Sequence, residues 1–225
     1  TTGDQFGWGQ TANGAWHLGL RLEYGRILDN ETHRLKFALV ELAQLNICNF
    51  RMTGNQNLRL LDVKAQDKAT IEAILAEHGY AADASHLSGL RRNSIACVST
   101  NTCPLGMAEA ERYLPTLITK LEPLLQQHGL YDEAIKIRMT GCPHGCGRSV
   151  LGEIGLIGKS PGRYNLYLGA SFNGNRLNTL YRENVDETAI LTTLDAIFAD
   201  FAANRRQGEH FGDFTIRQGY VTAAP

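Results

Sequence analysis

The first eighty residues follow hydrophobic patterns that switch between strand-like and helix-like periods. Apolar residues alternate with other residues from 16 to 22, directly after the turn signal Asn13-Gly14, which predicts a strand. The segment from 35 to 45 is dense in helix formers and predicts a buried helix. The remaining predicted elements are strands over 47–53 and 58–63 and a helix over 67–78, with Asp67 as its cap and Gly79 as its stop. The predicted order is β-α-β-β-α.

A small, polar, turn-rich stretch at 81–93 predicts a domain boundary between residues 84 and 85. Beyond it, the predicted elements are a helical region over 106–127 interrupted by Pro115 and Pro123, strands over 134–139, 153–157 and 163–168, a helix from an Asp186 cap to Gly208, and a last strand over 214–218. The sequence therefore predicts an α+β protein in two layers, with helices covering mixed sheets. Its two domains are expected at 1–84 and 85–225.

Composition and charge exclude several classes of function. The chain has 225 residues, 43% of them hydrophobic, with a formal net charge of −1. This balance is typical of a globular protein, and it gives no bulk electrostatic attraction to nucleic acid or to a membrane surface. No apolar run is long enough to span a bilayer. Residues 1–4 have neither the basic start nor the apolar segment of a signal peptide, so we expect a soluble protein.

Cysteines carry the strongest chemical signal in the sequence. There are five, an odd number, and without a secretory signal this argues against a disulfide scaffold and for a reducing, cytoplasmic compartment. Cys97 and Cys103 form a C-x5-C pair, Cys142 and Cys146 form a C-x3-C pair, and 38 residues separate the two pairs. Cys48 has no close partner in the sequence, and we interpret it as a buried small hydrophobe.

The spacing of the two pairs favours a cubane iron–sulfur cluster over a structural zinc ion. Zinc knuckles usually have C-x2-C spacing, whereas a cubane takes four thiolates around a larger body and suits longer, unequal loops. The second pair directly follows a predicted strand and is bracketed by Gly141, Gly145 and Gly147. Glycines permit positive φ and a close approach of the backbone to a bulky group. Zinc stays open as a less favoured alternative, and inert buried thiols as a weaker one.

One long motif resembles a known family. The run Thr140-Gly141-Cys142-x3-Cys146-x6-Glu153-Ile154-Gly155-Leu156 is similar to the signature of the siroheme/iron–sulfur nitrite and sulfite reductases. Further matching segments are ACVS at 96–99, TCPL at 102–105, NQNL at 55–58, PGRYNL at 161–166 and FGDF at 211–214. The resemblance covers essentially the whole chain, but only the C-terminal half of the family's polypeptide. It is greatest for the hemoproteins of assimilatory NADPH-dependent sulfite reductases.

This resemblance implies a fold and a reaction. Residues 1–84 would form half of a ferredoxin-like domain, and residues 85–225 a mixed α/β domain that binds siroheme and a 4Fe-4S cluster. The cluster ligands would be Cys97, Cys103, Cys142 and Cys146, with Cys146 bridging the cluster to siroheme. The implied reaction is the six-electron reduction of sulfite to sulfide in sulfate assimilation and cysteine biosynthesis. A flavoprotein partner carrying FAD and FMN would supply the electrons from NADPH.

The same resemblance suggests further siroheme contacts. Family members contact siroheme carboxylates from the N-Q-N turn, which indicates Gln56 with its neighbours Asn55 and Asn57. Siroheme carries many carboxylates and needs cationic or amide donors, so Arg51 and Arg148 are further candidates, each as readily explained as a solvated surface arginine. Gly141 lies in the loop at 141–148, which carries the second cysteine pair and which we call the cofactor loop. His144 stands there where the family usually has Asn, and we favour a swap that keeps one hydrogen bond.

Two features limit what this chain should do alone. The resemblance implies that the cationic side chains that bind sulfite lie mostly in the N-terminal half of the family's polypeptide. In addition, no G-x-G-x-x-G motif follows a predicted strand, so we do not expect this chain to bind nicotinamide. We therefore expect the chain to be inactive without its N-terminal half. A siroheme-dependent nitrite reductase is the alternative within the same chemistry. An iron–sulfur electron carrier without siroheme and a zinc-stabilised interaction module are the alternatives from other classes.

Overall fold

The computed structural model of the chain describes residues 3–224. The expected domains, 1–84 and 85–225, also include Thr1, Thr2 and Pro225. These three residues lie outside the described part of the chain. The chain divides into two compact units, 3–86 and 87–224, which we call the N-terminal and C-terminal units. None of the helices among the described residues combines the length and the apolar character that crossing a bilayer requires.

The N-terminal unit is an antiparallel sheet packed against two helices. Its elements are β1 (Gly7–Gln10), β2 (Trp16–Leu20), α1 (Leu35–Leu45), β3 (Asn49–Met52), β4 (Leu58–Val63), a 3-10 turn (Ala65–Asp67) and α2 (Lys68–Glu77). The strand order is β1-β2-β4-β3. Leu18, Leu20 and Leu60 of the sheet share one core with Leu42 of α1 and Ile71 of α2. The α+β class is therefore confirmed for this unit.

Three details of the N-terminal unit differ from the sequence prediction. Strand β1 was not predicted, because two of its four residues are glycines and it shows no apolar alternation. Helix α1 is buried on one face only, since Phe37 and Val40 are exposed. Asp67 occupies the N-cap position of α2, but its side chain makes no capping hydrogen bond within the described chain. The preceding 3-10 turn leaves Asp67 in the helical region of φ and ψ, where a cap side chain is poorly placed.

The C-terminal unit contains a mixed five-stranded sheet. Its elements are α3 (Gly89–Arg92), β5 (Ser94–Ala96), α4 (Leu114–Gln127), β6 (Ile137–Thr140), a 3-10 turn (Ser149–Leu151), β7 (Ile154–Ser160), β8 (Arg163–Leu168), β9 (Thr179–Val185), α5 (Glu187–Asn204) and α6 (Phe211–Arg217). The strand order is β5-β6-β7-β8-β9. The pairs β5–β6 and β6–β7 are parallel, and the pairs β7–β8 and β8–β9 are antiparallel. The expected mixed α/β arrangement is confirmed here.

Two predicted elements of the C-terminal unit are wrong. Residues 214–218 form part of helix α6 and not a strand, because Phe211 and Phe214 are buried one helical turn apart and pack their rings against Phe201. The helical region predicted from 106 begins only at Leu114. Pro115 lies in the first turn of α4, where its missing N–H costs nothing. Strands β5 and β9 and the short helix α3 were not predicted, and β6 begins three residues later than expected.

Helix α5 allows a direct test of capping in this fold. The Asp186 side chain accepts a hydrogen bond from the Ala189 amide at 2.9 Å, as the sequence predicted. Replacing Asp186→Ala is expected to lower the free energy of unfolding by about 1 kcal/mol. The matched control Asp67→Ala should change it by less than about 0.5 kcal/mol, since Asp67 caps nothing in residues 3–224. Urea titration of both variants measures the difference, and equal losses would contradict this assignment.

Candidate metal centre

Cysteines lie where two parallel neighbouring strands end. Strand β5 ends at Ala96 and strand β6 at Thr140, and Ala96 pairs with Met139. The carboxyl ends of parallel strands meet at one edge of a sheet, so Cys97 and the loop that carries Cys142 and Cys146 emerge side by side. The backbone confirms this proximity, because the Cys97 amide donates to the Met139 carbonyl at 3.1 Å.

The Cys97 sulfur lies at the centre of this edge. The Gly141 amide donates to Cys97 Sγ at 3.3 Å, and the Ser99 amide also donates to it. Burial raises the pKa of the Cys97 thiol, and the nearby Cys142 and Cys146 raise it further, while the two amides oppose them. The three sulfurs therefore share one electrostatic environment. A cation bound among them would offset the cost of forming thiolates there.

Cys103 is held near this edge by a separate loop. Its amide donates to the Ser99 carbonyl at 2.8 Å, and its carbonyl accepts from Gly106 at 3.1 Å. The same loop returns to the second cysteine pair, because the amides of Met107 and Ala108 both donate to the Gly141 carbonyl, at 2.9 Å and 3.0 Å. Gly141 thus ties the loops of both cysteine pairs together.

The donor atoms that the four cysteines offer are all thiols. Within residues 3–224 all five cysteines are free of disulfide bonds. No three His, Cys, Asp or Glu side chains of that part of the chain are close enough together to hold one metal ion. A cubane cluster takes one thiolate on each of several iron atoms, so its ligands need not converge on a point. The all-thiol donor set and the amides aimed at Cys97 fit such a group.

Glycines in the cofactor loop are required by close packing on one side and leave space on the other. A Cβ on Gly141 would lie 1.6 Å from Ser99 Oγ and 2.4 Å from the Ala108 carbonyl oxygen. A Cβ on Gly147 would lie 2.3 Å from the Met139 carbonyl oxygen. Gly145 has φ +77°, and its nearest described neighbour would be 4.0 Å away. The loop is therefore fixed against the sheet and open at Gly145.

The remaining loop residues line the exposed side of this site. Cys142 is buried and Cys146 is exposed, so Cys146 is available to a group outside the sheet edge. His144 Nδ1 lies 3.4 Å from Cys142 Sγ. Arg148 has left-handed backbone, with φ 52° and ψ 41°, and its amide donates to the Gly145 carbonyl at 2.7 Å. This turn begins the 3-10 segment that leads to β7.

The other predicted cofactor residues lie in the N-terminal unit. Gln56 has φ +65° at the tip of the turn between β3 and β4. Asn57 is buried, its amide group donating to Asp4 at 2.7 Å and its oxygen accepting from the Leu22 amide at 3.0 Å. The Asn57 side chain therefore shapes the turn from within. Asn55 takes part in the same turn, where its carbonyl accepts from the Asn57 side chain at 3.2 Å. Arg51 is exposed on β3, directly opposite Arg59 of β4.

Two buried charged residues of the C-terminal unit were not singled out for roles from the sequence. Glu153 is fully buried, and its carboxylate accepts from the amides of Lys136 at 2.9 Å and Gly212 at 2.8 Å. It thereby joins β6 to the start of α6. Arg138 is 6% exposed in the middle of β6. In the sequence, Glu153 is marked by its place in the family-like motif, and Arg138 by a charge between the apolar residues Ile137 and Met139.

Glu153 should make stability depend on pH. Burial raises its pKa from 4.5 to about 7, against the opposing effect of its two amide donors. Between pH 4.5 and pH 7 the folded protein therefore keeps a proton on Glu153 that the unfolded chain releases. The free energy of unfolding should fall as pH rises through this window, by at most about 3 kcal/mol. In Glu153→Gln this loss should disappear, as measured by urea unfolding at pH 5 and pH 7.5. The exposed control Glu183→Gln should keep it, and an unchanged pH dependence in Glu153→Gln would refute the assignment.

The sequence of this chain is similar to those of nitrite and sulfite reductase proteins. A model of the nitrite/sulfite reductase ferredoxin-like half domain matches residues 9–78. The sulfite reductase [NADPH] hemoprotein beta-component of Lysinibacillus sphaericus is 55% identical over 222 residues, which are 99% of this chain and 39% of that protein. The protein of the same name from Bacillus subtilis is 49% identical over 98% of this chain and 38% of its own length. The chain thus spans about two fifths of the length of these relatives.

Solved structures have a similar fold. The NirA protein of Mycobacterium tuberculosis superposes with a TM-score of 0.75 at 24% identity, over 96% of this chain and 41% of that one. Dissimilatory sulfite reductase I superposes with a TM-score of 0.62 at 12% identity, over 92% of this chain and 67% of that one. At these identities the likeness concerns the fold alone.

Proposed function

Because this chain belongs to the nitrite/sulfite reductase family, we propose that it is the cluster-binding segment of an assimilatory sulfite reductase hemoprotein. In this proposal, Cys97, Cys103, Cys142 and Cys146 hold a 4Fe-4S cluster, and Cys146 also bridges to siroheme. The observation that carries it is the sheet edge where the Gly141 amide donates to Cys97 Sγ at 3.3 Å beside Cys142 and Cys146. The exposure of Cys146 supports its assignment as the bridging ligand.

When bound, the coupled cofactors supply one-electron transfers to an iron that binds substrate. The residues of this chain set the conditions for that chemistry. Amides of Gly141 and Ser99 donate to the Cys97 sulfur, which favours the thiolate and raises the potential of a cluster attached to it. Ser99 Oγ donates to the Ala108 carbonyl at 2.5 Å and fixes the loop that carries Cys103. His144 lies against Cys142 and can exchange one hydrogen bond with its sulfur.

We assign sulfite as the substrate, reduced by six electrons to sulfide, and the cytoplasm as the compartment. The relatives' designation as a hemoprotein beta-component implies a second component, which we take to be a flavoprotein that passes electrons from NADPH. Gln56, Asn55, Asn57 and Arg51 are assigned to the siroheme carboxylates through the N-terminal unit, and Arg148 through the C-terminal unit.

The N-terminal unit supports a requirement for a further segment of the protein. Strand β3 lies at one end of the sheet order, and all four of its residues are exposed. They include Phe50, which is 42% exposed, and Met52, which is 84% exposed. An exposed edge strand with apolar side chains is a surface that another chain segment covers in stable proteins. We assign that segment to the N-terminal half of the hemoprotein, without which this chain should not reduce sulfite.

Metal analysis and absorption spectroscopy test this function. The protein is co-expressed with its N-terminal half and with siroheme biosynthesis, then purified anaerobically. We expect about five iron atoms per chain, acid-labile sulfide, and a red chlorin-type band beside the cluster absorption. Cluster absorption without the red band would instead establish an electron carrier, and zinc at about one per chain without iron would establish a zinc module. Turnover of nitrite but not sulfite with a reduced dye would establish a nitrite reductase.

A further inference from the structure

Strand β6 carries an arginine whose charge has no counterpart in the C-terminal unit. Arg138 is 6% exposed, and its Nε and Nη1 atoms are buried without a hydrogen-bond partner among the described residues. Arginine is almost never buried unless it is paired. A buried donor left without an acceptor costs more than a hydrogen bond contributes. The position therefore requires an explanation beyond packing.

Neighbouring cations make an unpaired positive charge at Arg138 still more unfavourable. Burial and the nearby Arg148 together lower the pKa of Arg138 to about 10, so a second cation lies close to it. Lys136, which directly precedes β6, has its ammonium 2.5 Å from the Phe172 carbonyl and 4.1 Å from the centre of the Phe172 ring. The nearby carboxylate of Glu153 already accepts from two backbone amides. Two further cations thus lie near Arg138, whose own Nε and Nη1 have no acceptor among the described residues.

The surroundings of Arg138 connect it to the cofactor loop. A Cβ on Gly152 would lie 3.1 Å from the Cβ of Arg138, so the end of the 3-10 turn packs on the side of β6 from which Arg138 projects. That turn begins directly after Arg148, two residues beyond Cys146. Strand β6 itself ends two residues before Cys142. Both arginines therefore belong to the segments that carry the second cysteine pair.

We propose that Arg138, together with Arg148, forms a buried anion site that binds a carboxylate substituent of the tetrapyrrole. The planar guanidinium matches a carboxylate in a bidentate pair. A carboxylate that belongs to a bound macrocycle is brought to the buried site by the macrocycle, whereas a free oxyanion would have to be desolvated alone. This inference rests on the proposed function, because it names residues of the same site.

Tetrapyrrole binding to Arg138 variants tests the proposal. Siroheme is extracted and quantified per chain from the co-expressed protein, and uroporphyrin is titrated by fluorescence into the cofactor-free protein. Arg138→Met should reduce siroheme content and uroporphyrin affinity at least about tenfold, with iron–sulfur content retained. The control Arg163→Gln removes a half-exposed arginine of the same unit that pairs with Asp186 at 3.3 Å, and both readouts should stay at the wild-type level. The methyl ester of uroporphyrin should bind wild type and Arg138→Met equally weakly.

Thermal unfolding of the cofactor-free protein separates binding from a structural role. Removing an unpaired buried charge should leave the Tm of Arg138→Met equal to or above that of the wild type. If that variant fails to fold, Arg138→Lys replaces it in the test. Lysine keeps the charge but loses the bidentate geometry, so the affinity for uroporphyrin should fall at least about fivefold. Wild-type tetrapyrrole binding in a folded Arg138 variant would overturn the inference, as would a loss of sulfite binding alone. Absence of tetrapyrrole from the wild type would instead overturn the proposed function.

Discussion

Replacing Cys146 by serine is expected to abolish sulfite reduction, with a loss of at least about a thousandfold. In the proposed site Cys146 is the one residue that serves both cofactors, so a serine hydroxyl would weaken the cluster and remove the bridge. Cys146 is exposed, and exposed substitutions usually change stability by less than about 0.5 kcal/mol. The variant should therefore be folded but inactive, and its content of both iron and siroheme should be lower than that of the wild type.

Cys48 supplies the matched control for this prediction. It is buried in the N-terminal unit, and burial raises the pKa of its thiol, as for an inert structural cysteine. Cys48→Ala should cost about 1 kcal/mol of stability and leave iron, siroheme and turnover unchanged. Dye-linked sulfite turnover, metal content and urea unfolding compare the two variants. Full activity in Cys146→Ser would remove this residue from the mechanism.

Replacing Gly141→Ala is expected to give the largest loss of stability, about 3 kcal/mol or more, because the added methyl group has no space. Its Cβ would lie 1.6 Å from Ser99 Oγ and 2.4 Å from the Ala108 carbonyl oxygen. Relief of this clash would move the amide that donates to Cys97 Sγ and the carbonyl that accepts from Met107 and Ala108. Cluster content should therefore fall even at temperatures at which the variant stays folded.

Replacing Ser99 tests whether the steric clash at Gly141 causes this loss of stability. Ser99→Ala removes the nearest of the three obstructing atoms and leaves Ser99 Cβ, at 2.7 Å, and the Ala108 carbonyl oxygen. The double variant Ser99→Ala/Gly141→Ala should therefore recover part of the loss, as a coupling energy in a double-mutant cycle. Gly54→Ala is the control, since no described atom lies within 4 Å of its Cβ position, and its stability should change by less than about 0.5 kcal/mol. Strict additivity of the Ser99 and Gly141 substitutions would argue against the packing explanation.

Much of the fold could be predicted from hydrophobic patterns, and the errors have physical causes. Helix α1 was predicted with its observed bounds, because its sequence is rich in strong helix formers. Strand β1 gave no signal, since its glycines bury no side chain and its pairing with β2 defines it. The segment from 214 to 218 has an alternation that suits a strand, but its aromatic residues are buried at helical spacing with Phe211. Tertiary packing decides such short segments.

Less of the candidate site could be predicted. Spacing identified the cysteine pairs, but the proximity of Cys97 to Cys142 and Cys146 arises from the parallel pairing of β5 with β6, and β5 was not predicted. The central role of Ser99 in fixing the loop depends on a backbone with φ +47°, which residue type does not indicate. Burial of Arg138 and Glu153 appears only in the folded chain, because charged residues inside strands are usually exposed.

Mössbauer spectroscopy of the anaerobically purified, iron-57-labelled hemoprotein tests the central claim most directly. A thiolate shared through Cys146 would couple the siroheme iron magnetically to the cluster, so both should report a common spin system in the oxidised protein. In a Cys146→Ser sample, any siroheme iron that stays bound should appear uncoupled. Independent spectra of a cluster and an isolated siroheme in the unsubstituted protein would contradict the assignment of Cys146 as the bridge.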